Sequence, residues 1–154
     1  MNVDLENILK AATATVFSTM LNTTPEFGPF ESDCTTGEEQ VAGTVGFTGS
    51  LNGIIHFCSS ASFARRLTCR MLSMEESEIE GNEMINDVIG ELTNMLAGQI
   101  KHKMQQAGTH CLLTVPSVMR GDNVKSVSSS HSVRKSVYFK CHGGHAVIEA
   151  TIKT

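Results

Sequence analysis

The feature that most constrains the fold is a long amphipathic pattern between about Gly81 and Ala107. Apolar residues recur there at helical spacing, and Gly108 follows as a helix stop. With about 100° of rotation per residue, the apolar side chains fall on one broad arc, made of Ile85, Val88, Ile89, Leu92, Met95, Leu96 and Ile100. Such an arc is stable only against an apolar layer. The sequence therefore predicts a long helix that packs on the rest of the domain.

The opposite face of this helix is polar and includes Asp87, Glu91, Asn94, Gly98, Lys101 and Gln105. Glu91 and Asn94 lie one turn apart and are expected to project into solvent together. The ordinary role of such a pair is to keep a helix soluble. Asn is, however, a poor helix former, and Gly98 costs about 1 kcal/mol relative to Ala. These two choices favour a face shaped for a partner surface.

The chemistry of Glu91 and Asn94 suits phosphate removal from a partner protein. A carboxamide donates and accepts hydrogen bonds at once, so Asn94 can hold a water molecule in one orientation. A carboxylate can pair with a lysine of the partner and fix the docking. Phosphoryl transfer to water requires placement of that water and charge stabilisation. We therefore predict Glu91 and Asn94 as catalytic residues, with no metal bound by this chain.

The remaining segments predict an α+β domain in which helices cover a mainly antiparallel sheet. Helices are expected over residues 3–21, where Leu5, Ile8, Leu9, Ala12, Val16 and Met20 recur, and from Ser59 or Ser60 to Leu72. Strands are expected over 40–48, 53–59, 111–118, 135–141 and 146–153, with hairpin turns at 49–53 and 142–145. Residues 119–134 are interpreted as a loop or an irregular edge strand.

Length, charge and cysteine content limit the functional class. The 154 residues suit one domain spanning 1–154, and a net charge of -4 with scattered signs disfavours a nucleic-acid partner. No apolar run is long enough to cross a bilayer, and the N-terminus does not resemble a signal peptide. The five cysteines form no Cys-x-x-Cys pair and are interpreted as reduced thiols. We expect a cytoplasmic protein with no membrane partner.

The polar face of the long helix also carries a family motif. The pattern Asp87-x-x-x-Glu91-x-x-Asn94, with Pro116 farther on, resembles that of the CheC/CheX/FliY group of bacterial chemotaxis phosphatases. The likeness extends to residues 11–21, 49–55, 91–98 and 113–121, and so covers most of the chain. The full pattern Asp-x-x-x-Glu-x-x-Asn occurs once, whereas CheC and FliY members tend to carry two copies of their motif. The single copy indicates the CheX type.

The resemblance implies a CheC-like layered fold, a partner and a role for each motif residue. Glu91 would pair with the active-site lysine of a receiver domain, and Asn94 would orient the water that attacks its phospho-aspartate. The receiver, CheY or a relative, would bring its own Mg²⁺. Other residues expected at the partner-binding surface are Asp87, Gly98, Lys101 and Pro116. The resemblance also implies a homodimer that is built through sheet edges.

Several alternatives remain open at this point. The chain could be a non-catalytic receiver-binding scaffold of the same fold, or a small-ligand sensor domain. Cys141, His142 and His145 could form a metal site, although a plain hairpin turn is the commoner arrangement. Arg65, Arg66 and Arg70 follow one helix face, which is either solvated or used for docking. Gly43, Gly46 and Gly49 indicate close packing or bulges in a strand.

Overall fold

The computed structural model describes residues 4–29, 38–122 and 131–153. In chain order the elements are helix α1 (Leu5–Leu21), strand β1 (Glu26–Phe27), strands β2 (Gln40–Gly49) and β3 (Asn52–Ser60), helix α2 (Ala61–Leu72), a 3₁₀ turn (Glu76–Glu78), helix α3 (Glu83–Gln106), and strands β4 (Cys111–Leu113), β5 (Ser117–Gly121), β6 (Ser132–Cys141) and β7 (Gly144–Lys153). The predicted α+β class is confirmed. Within these ranges no helix is long and apolar enough to cross a membrane.

One antiparallel sheet contains every strand described. Its order is β1-β6-β7-β3-β2-β4, and β5 pairs with β2 beside β4. The two predicted hairpins are confirmed: β2 pairs with β3 in the register Val45 to Ile55, and β6 pairs with β7 down to Cys141 and Gly144. The turn between β6 and β7 uses left-handed backbone at His142 (φ 49°) and Gly143 (φ 74°).

The three helices cover one face of this sheet. Alternate residues of β7 are buried, as the period of a strand requires: Ala146, Ile148, Ala150 and Ile152. They belong to the same buried cluster as the apolar stripes of α1, α2 and α3. The core therefore lies between a helical layer and a sheet layer, which is the layered architecture that the sequence predicts.

Helix α3 is seated on the sheet through glycines. A Cβ atom added at Gly43 of β2 would lie 2.9 Å from the Cβ of Thr93. A Cβ atom added at Gly90 of α3 would lie 3.3 Å from a methyl group of Val118 on β5. The absence of side chains at these two positions lets the helix approach the strands closely. The prediction of close packing at Gly43 is confirmed.

The single strand predicted over residues 111–118 is wrong. The structure divides it into β4 and β5, with Thr114, Val115 and Pro116 between them. Thr114 breaks the regular ladder because its backbone N–H donates to the Gly46 carbonyl (2.9 Å) while its Oγ1 accepts from the Gly46 N–H (2.9 Å). Pro116 has no N–H to continue the pairing. In the segment 119–134, the first residues belong to β5 and the last residues belong to β6. Residues 123–130 lie outside the described part.

Candidate active site

Glu91 and Asn94 lie on the exposed face of α3, together with Asp87. Leu92 and Thr93, the two residues between them, are fully buried. The predicted core residues of this helix are all buried except Met95, which is half-buried. The two faces are therefore as predicted, and the carboxylate and the carboxamide project from one ridge into solvent.

The backbone beneath this ridge is fixed by Thr93. Its hydroxyl donates to the Ile89 carbonyl one turn earlier, at 2.7 Å, and its side chain packs against the bare backbone of Gly43. A side chain held in this way cannot rotate without losing both contacts. Glu91 and Asn94 lie within two residues of Thr93 on the same helix. Their Cα positions are therefore preorganised before any partner arrives.

The sheet side of the ridge is formed by β4, β5 and the link between them. Val118 of β5 lies opposite Gly90, 3.3 Å from where a Cβ atom would be, and Leu112 of β4 shares a cavity of about 360 Å³ with Lys101. The link between these strands therefore runs beside the intervening turns of α3, where Asn94 lies. Val115 in this link is 82% exposed, and the neighbouring Pro116 is exposed as well. The structure thus brings Pro116 to the flank of the ridge.

A polar contact ties the same side of the ridge to β5. The Arg120 Nη2 atom donates to Oδ1 of Asn86 at 2.9 Å, and its Nη1 lies 3.7 Å from a carboxylate oxygen of Glu39. Only 15% of the Arg120 side chain is exposed. Sequence reasoning missed this contact. Its two residues lie 34 positions apart, and no local pattern links them.

The other side of the ridge is formed by α1. A cavity of about 270 Å³, which we call the α1–α3 pocket, lies between the two helices at the surface and is lined by Thr15, Val16, Thr19, Met20, Met95, Gly98 and Gln99. Met20, placed by the sequence in the apolar stripe of α1, is instead 45% exposed. A Cβ atom at Gly98 would meet no other atom within 4 Å. Gly98 therefore opens onto this pocket, and sequence reasoning did not assign α1 to the site.

The turn around His142 serves a structural purpose. The Arg66 Nη1 atom donates to the His142 carbonyl at 3.0 Å and holds the β6–β7 turn against α2. Burial raises the pKa of the Cys141 thiol to about 11. Burial, and then the nearby Arg70, lowers the pKa of His142. Within the described ranges, no group of three or more His, Cys, Asp or Glu side chains is placed to hold a metal ion.

The arginines of α2 also have structural partners. Arg65 donates to the Glu76 carbonyl at 3.2 Å and to the Ile79 carbonyl at 3.4 Å, which secures the segment after α2. Together with the Arg66 contact, these bonds explain two of the three basic residues without a docking role. The candidate catalytic residues are therefore those on the exposed ridge of α3.

The sequence of this region matches a known family. Residues 41–140, which include α3 with Glu91 and Asn94, match the sequence model of the family described as chemotaxis phosphatase CheX. The chain belongs to the CheX family. The expectation of a CheX-type member is thereby confirmed, and so is the expectation that its α+β fold carries the motif on a long helix.

Similar proteins agree with this assignment. The CheY-P phosphatase CheX of Thermotoga maritima is 32% identical over 82 residues, which span 53% of this chain and 52% of that protein. The match thus covers about half the length of this curated relative. The crystal structure of a chemotaxis protein CheX from Desulfovibrio desulfuricans has a TM-score of 0.81 at 25% identity, covering 98% of this chain and 100% of that chain.

A structure from Borrelia burgdorferi shares the fold at lower identity. It is a CheX–CheY–BeF₃–Mg²⁺ complex with a TM-score of 0.77 and 18% identity, covering 99% of this chain and 100% of that chain. Identity at this level supports the common fold. These likenesses extend over nearly the whole chain, so α1, α2 and all the described strands belong to the shared architecture.

Proposed function

We propose that this CheX-family protein hydrolyses the phospho-aspartate of a CheY-like receiver domain. The observation that carries the proposal is the exposed pair Glu91 and Asn94, one turn apart on a helix whose backbone is fixed by buried Thr93. The name of the Thermotoga maritima relative, a CheY-P phosphatase, supports the same reaction. Hydrolysis would release inorganic phosphate, restore the receiver's free carboxylate and so end the signal.

Asn94 is proposed to place the attacking water. Its amide oxygen accepts a hydrogen bond from the water and its amide nitrogen offers a donor, so the water's lone pair can be directed at phosphorus. The water oxygen bonds to phosphorus as the bond from phosphorus to the aspartyl oxygen breaks. The aspartyl carboxylate is the leaving group, and one proton of the water goes to an oxygen of the phosphate that is released. Orientation of this kind is the main catalytic help that phosphoryl transfer to water requires.

Glu91 is proposed to dock the receiver. Its carboxylate, one turn before Asn94, would pair with the receiver's active-site lysine as a charge-assisted hydrogen bond. Pairing at this position would bring the acyl phosphate over Asn94 each time the two proteins meet. Docking and water placement would thus be fixed by one rigid ridge.

Mg²⁺ is proposed to arrive with the receiver. The complex from Borrelia burgdorferi contains CheY, Mg²⁺ and BeF₃, and beryllium trifluoride stands in for a phosphoryl group. The ridge itself offers Asp87, Glu91 and Asn94. Of these, Glu91 would be paired with the receiver's lysine and would not be available to the ion. The ion would supply charge stabilisation to the phosphoryl oxygens from the receiver's side.

The surface around the catalytic pair is proposed to complete the docking site. Asp87 is exposed one turn before Glu91, and Gly98 and Lys101 follow Asn94 along the same face. Pro116 lies on the flanking link between β4 and β5. Gly98 would permit close approach, Lys101 would face acidic groups of the receiver, and Pro116 would present a rigid apolar edge.

The chain is also proposed to work as a cytoplasmic homodimer. In the described ranges, β5 pairs with β2 on one side and has a second hydrogen-bonding edge that pairs with no other strand. Such edges are common association surfaces. The described cysteines, at 58, 69, 111 and 141, form no disulfide with one another, which suits a reducing compartment. Measurement of the mass in solution at micromolar concentration tests the dimer, and a monomer mass would contradict it.

The activity is tested by mixing the protein with a phosphorylated CheY-like receiver and following phosphate release. The proposal predicts that catalytic amounts of the protein shorten the lifetime of the phosphorylated receiver. Binding of the beryllofluoride-activated receiver is measured in parallel. Tight binding with an unchanged phosphate lifetime would instead assign the chain as a receiver-binding scaffold and would refute hydrolysis.

A further inference from the structure

We propose that the α1–α3 pocket receives an apolar side chain of the receiver and so helps to select which receiver is dephosphorylated. The inference rests on the proposed function. It adds α1, and Met20 in particular, to a site that the sequence places on α3 and at Pro116.

The position of the pocket is the first argument. Gly98, one turn after Asn94 on the same helix face, forms part of its wall, and a Cβ atom at Gly98 would have open space around it. Glu91 and Met95 are likewise separated by about one turn of α3. A receiver that brings its phosphate to Asn94 therefore covers the mouth of the pocket. The pocket is continuous with the proposed docking face.

The lining of the pocket is the second argument. It consists of Thr15, Val16, Thr19, Met20, Met95, Gly98 and Gln99, and none of these carries a charge. Two methionines provide flexible and polarisable walls, which adapt to the shape of an inserted side chain. The chemistry matches an aliphatic or aromatic group and does not match a phosphate or a charged ligand.

The size of the pocket argues for a side chain as its occupant. Pockets for small ligands measure about 300–1,000 Å³, and this one, at about 270 Å³, lies just below that range. The space is large enough to admit one aliphatic or aromatic side chain.

The need for contact area identifies the receiver as the source of that side chain. Glu91 and Asn94, two polar side chains on an exposed ridge, would bury little surface by themselves. Even transient signalling complexes bury a total surface of up to about 1,200 Å², so the receiver must contact more than this pair. Binding energy is concentrated where an apolar anchor enters a pocket near the centre of the contact. The α1–α3 pocket lies beside the catalytic pair, where such an anchor would be most effective.

The test fills the pocket and follows turnover and binding separately. Gly98→Leu places a side chain in the open space, and Leu is a better helix former than Gly, so the variant is expected to fold. We expect kcat/KM for the phosphorylated receiver to fall about tenfold, mainly through KM. The Kd for the beryllofluoride-activated receiver should rise by a similar factor. The KM effect contrasts with that of Asn94→Ala, which should lower kcat.

A second variant and a matched control guard against a folding defect. Met20→Ala removes part of the pocket wall and should weaken binding several-fold. Leu72→Ala is its control, because Leu72 at the end of α2 is 47% exposed and Met20 is 45% exposed. The control should leave Kd unchanged.

The outcomes separate this inference from the proposed function. If Asn94→Ala abolishes turnover while Gly98→Leu and Met20→Ala keep the wild-type KM and Kd, the pocket has no role and the inference fails. If the wild-type protein does not hydrolyse the phosphate, the proposed function fails, and the Kd values still decide the pocket. If Gly98→Leu changes the mass of the protein in solution, a second copy of the chain occupies the pocket and the inference is overturned.

Discussion

Thr93 of α3 packs directly on the backbone of Gly43 in β2, at a distance that leaves no room for a side chain on the strand. The contact fixes the helix between the two residues that the proposed reaction uses. It also links the sheet to the site, because any displacement of β2 here would move Glu91 and Asn94 together. A strand glycine thus determines the geometry of an exposed catalytic ridge.

Gly43→Ala is expected to destabilise the fold by about 1–3 kcal/mol, the usual cost of adding atoms to a well-packed core. The new Cβ would lie 2.9 Å from the Cβ of Thr93, so the helix would have to move. The measurement is the free energy of unfolding from urea denaturation. Gly98→Ala is the matched control: nothing lies within 4 Å of its Cβ position, and Ala should stabilise the helix by about 0.5–1 kcal/mol. Equal effects of the two substitutions would refute the role given to Gly43.

The Asn86–Arg120 contact is expected to stabilise the seat of α3 on β5. Asn86→Ala would leave a largely buried guanidinium with one partner fewer, at a cost of about 1–3 kcal/mol. A double-mutant cycle with Arg120→Ala should give a coupling energy of about 0.5–3 kcal/mol. Additive effects of the two substitutions would show that the 2.9 Å contact contributes nothing specific.

His142 is expected to make stability depend on pH below neutrality. Burial, followed by Arg70, lowers its pKa in the folded protein, so the imidazole stays neutral there while the unfolded chain binds a proton below about pH 6.5. The contribution of His142 to stability is complete above that value and is lost as the pH falls through the lowered pKa of the folded state.

The His142 prediction is checked with His142→Asn, because Asn tolerates the left-handed backbone found at this position (φ 49°). The urea midpoint of the wild-type protein should fall more than that of the variant between pH 7 and pH 5.5. Parallel midpoints for the two proteins would contradict the prediction. An NMR titration of the His142 ring gives an independent reading of its pKa.

Glu91→Ala is expected to weaken docking more than chemistry. Loss of the carboxylate removes the proposed pair with the receiver's lysine, an interaction of about 1.5–3 kcal/mol when charged groups hydrogen-bond. The Kd for the activated receiver should therefore rise by tenfold or more, and turnover at low receiver concentration should fall in proportion. Unchanged binding would remove Glu91 from its proposed role.

Local periodicity was sufficient for the parts of the fold that depend on neighbouring residues. The two faces of α3, the N-cap at Ser60, whose Oγ accepts from the Phe63 N–H at 3.2 Å, and the hairpin after Gly49 all follow from short-range patterns. The predicted residue pair of the site is placed on one exposed face for the same reason. What such a pattern cannot report is the element that lies beside that face.

Two errors show where this limit lies. The stripe that included Met20 advances by four residues from Ala12 to Val16 to Met20, and each such step rotates about 40° beyond a full turn. Met20 therefore leaves the buried face, and Phe17 and Leu21 are buried in its place. The break between β4 and β5 depends on Thr114 bonding to Gly46, a contact 68 positions away in sequence. Only the folded chain brings these groups together.

The most direct test of the account is the effect of Asn94→Ala on the lifetime of a phosphorylated receiver under single-turnover conditions. Gln105→Ala is the matched control, since Gln105 is an exposed amide on the same face of α3, about three turns away. We expect Asn94→Ala to slow hydrolysis by about a hundredfold or more, as for loss of a group that positions the reactants, while the control keeps the wild-type rate. Equal phosphate lifetimes with the wild-type and Asn94→Ala proteins would contradict the central claim.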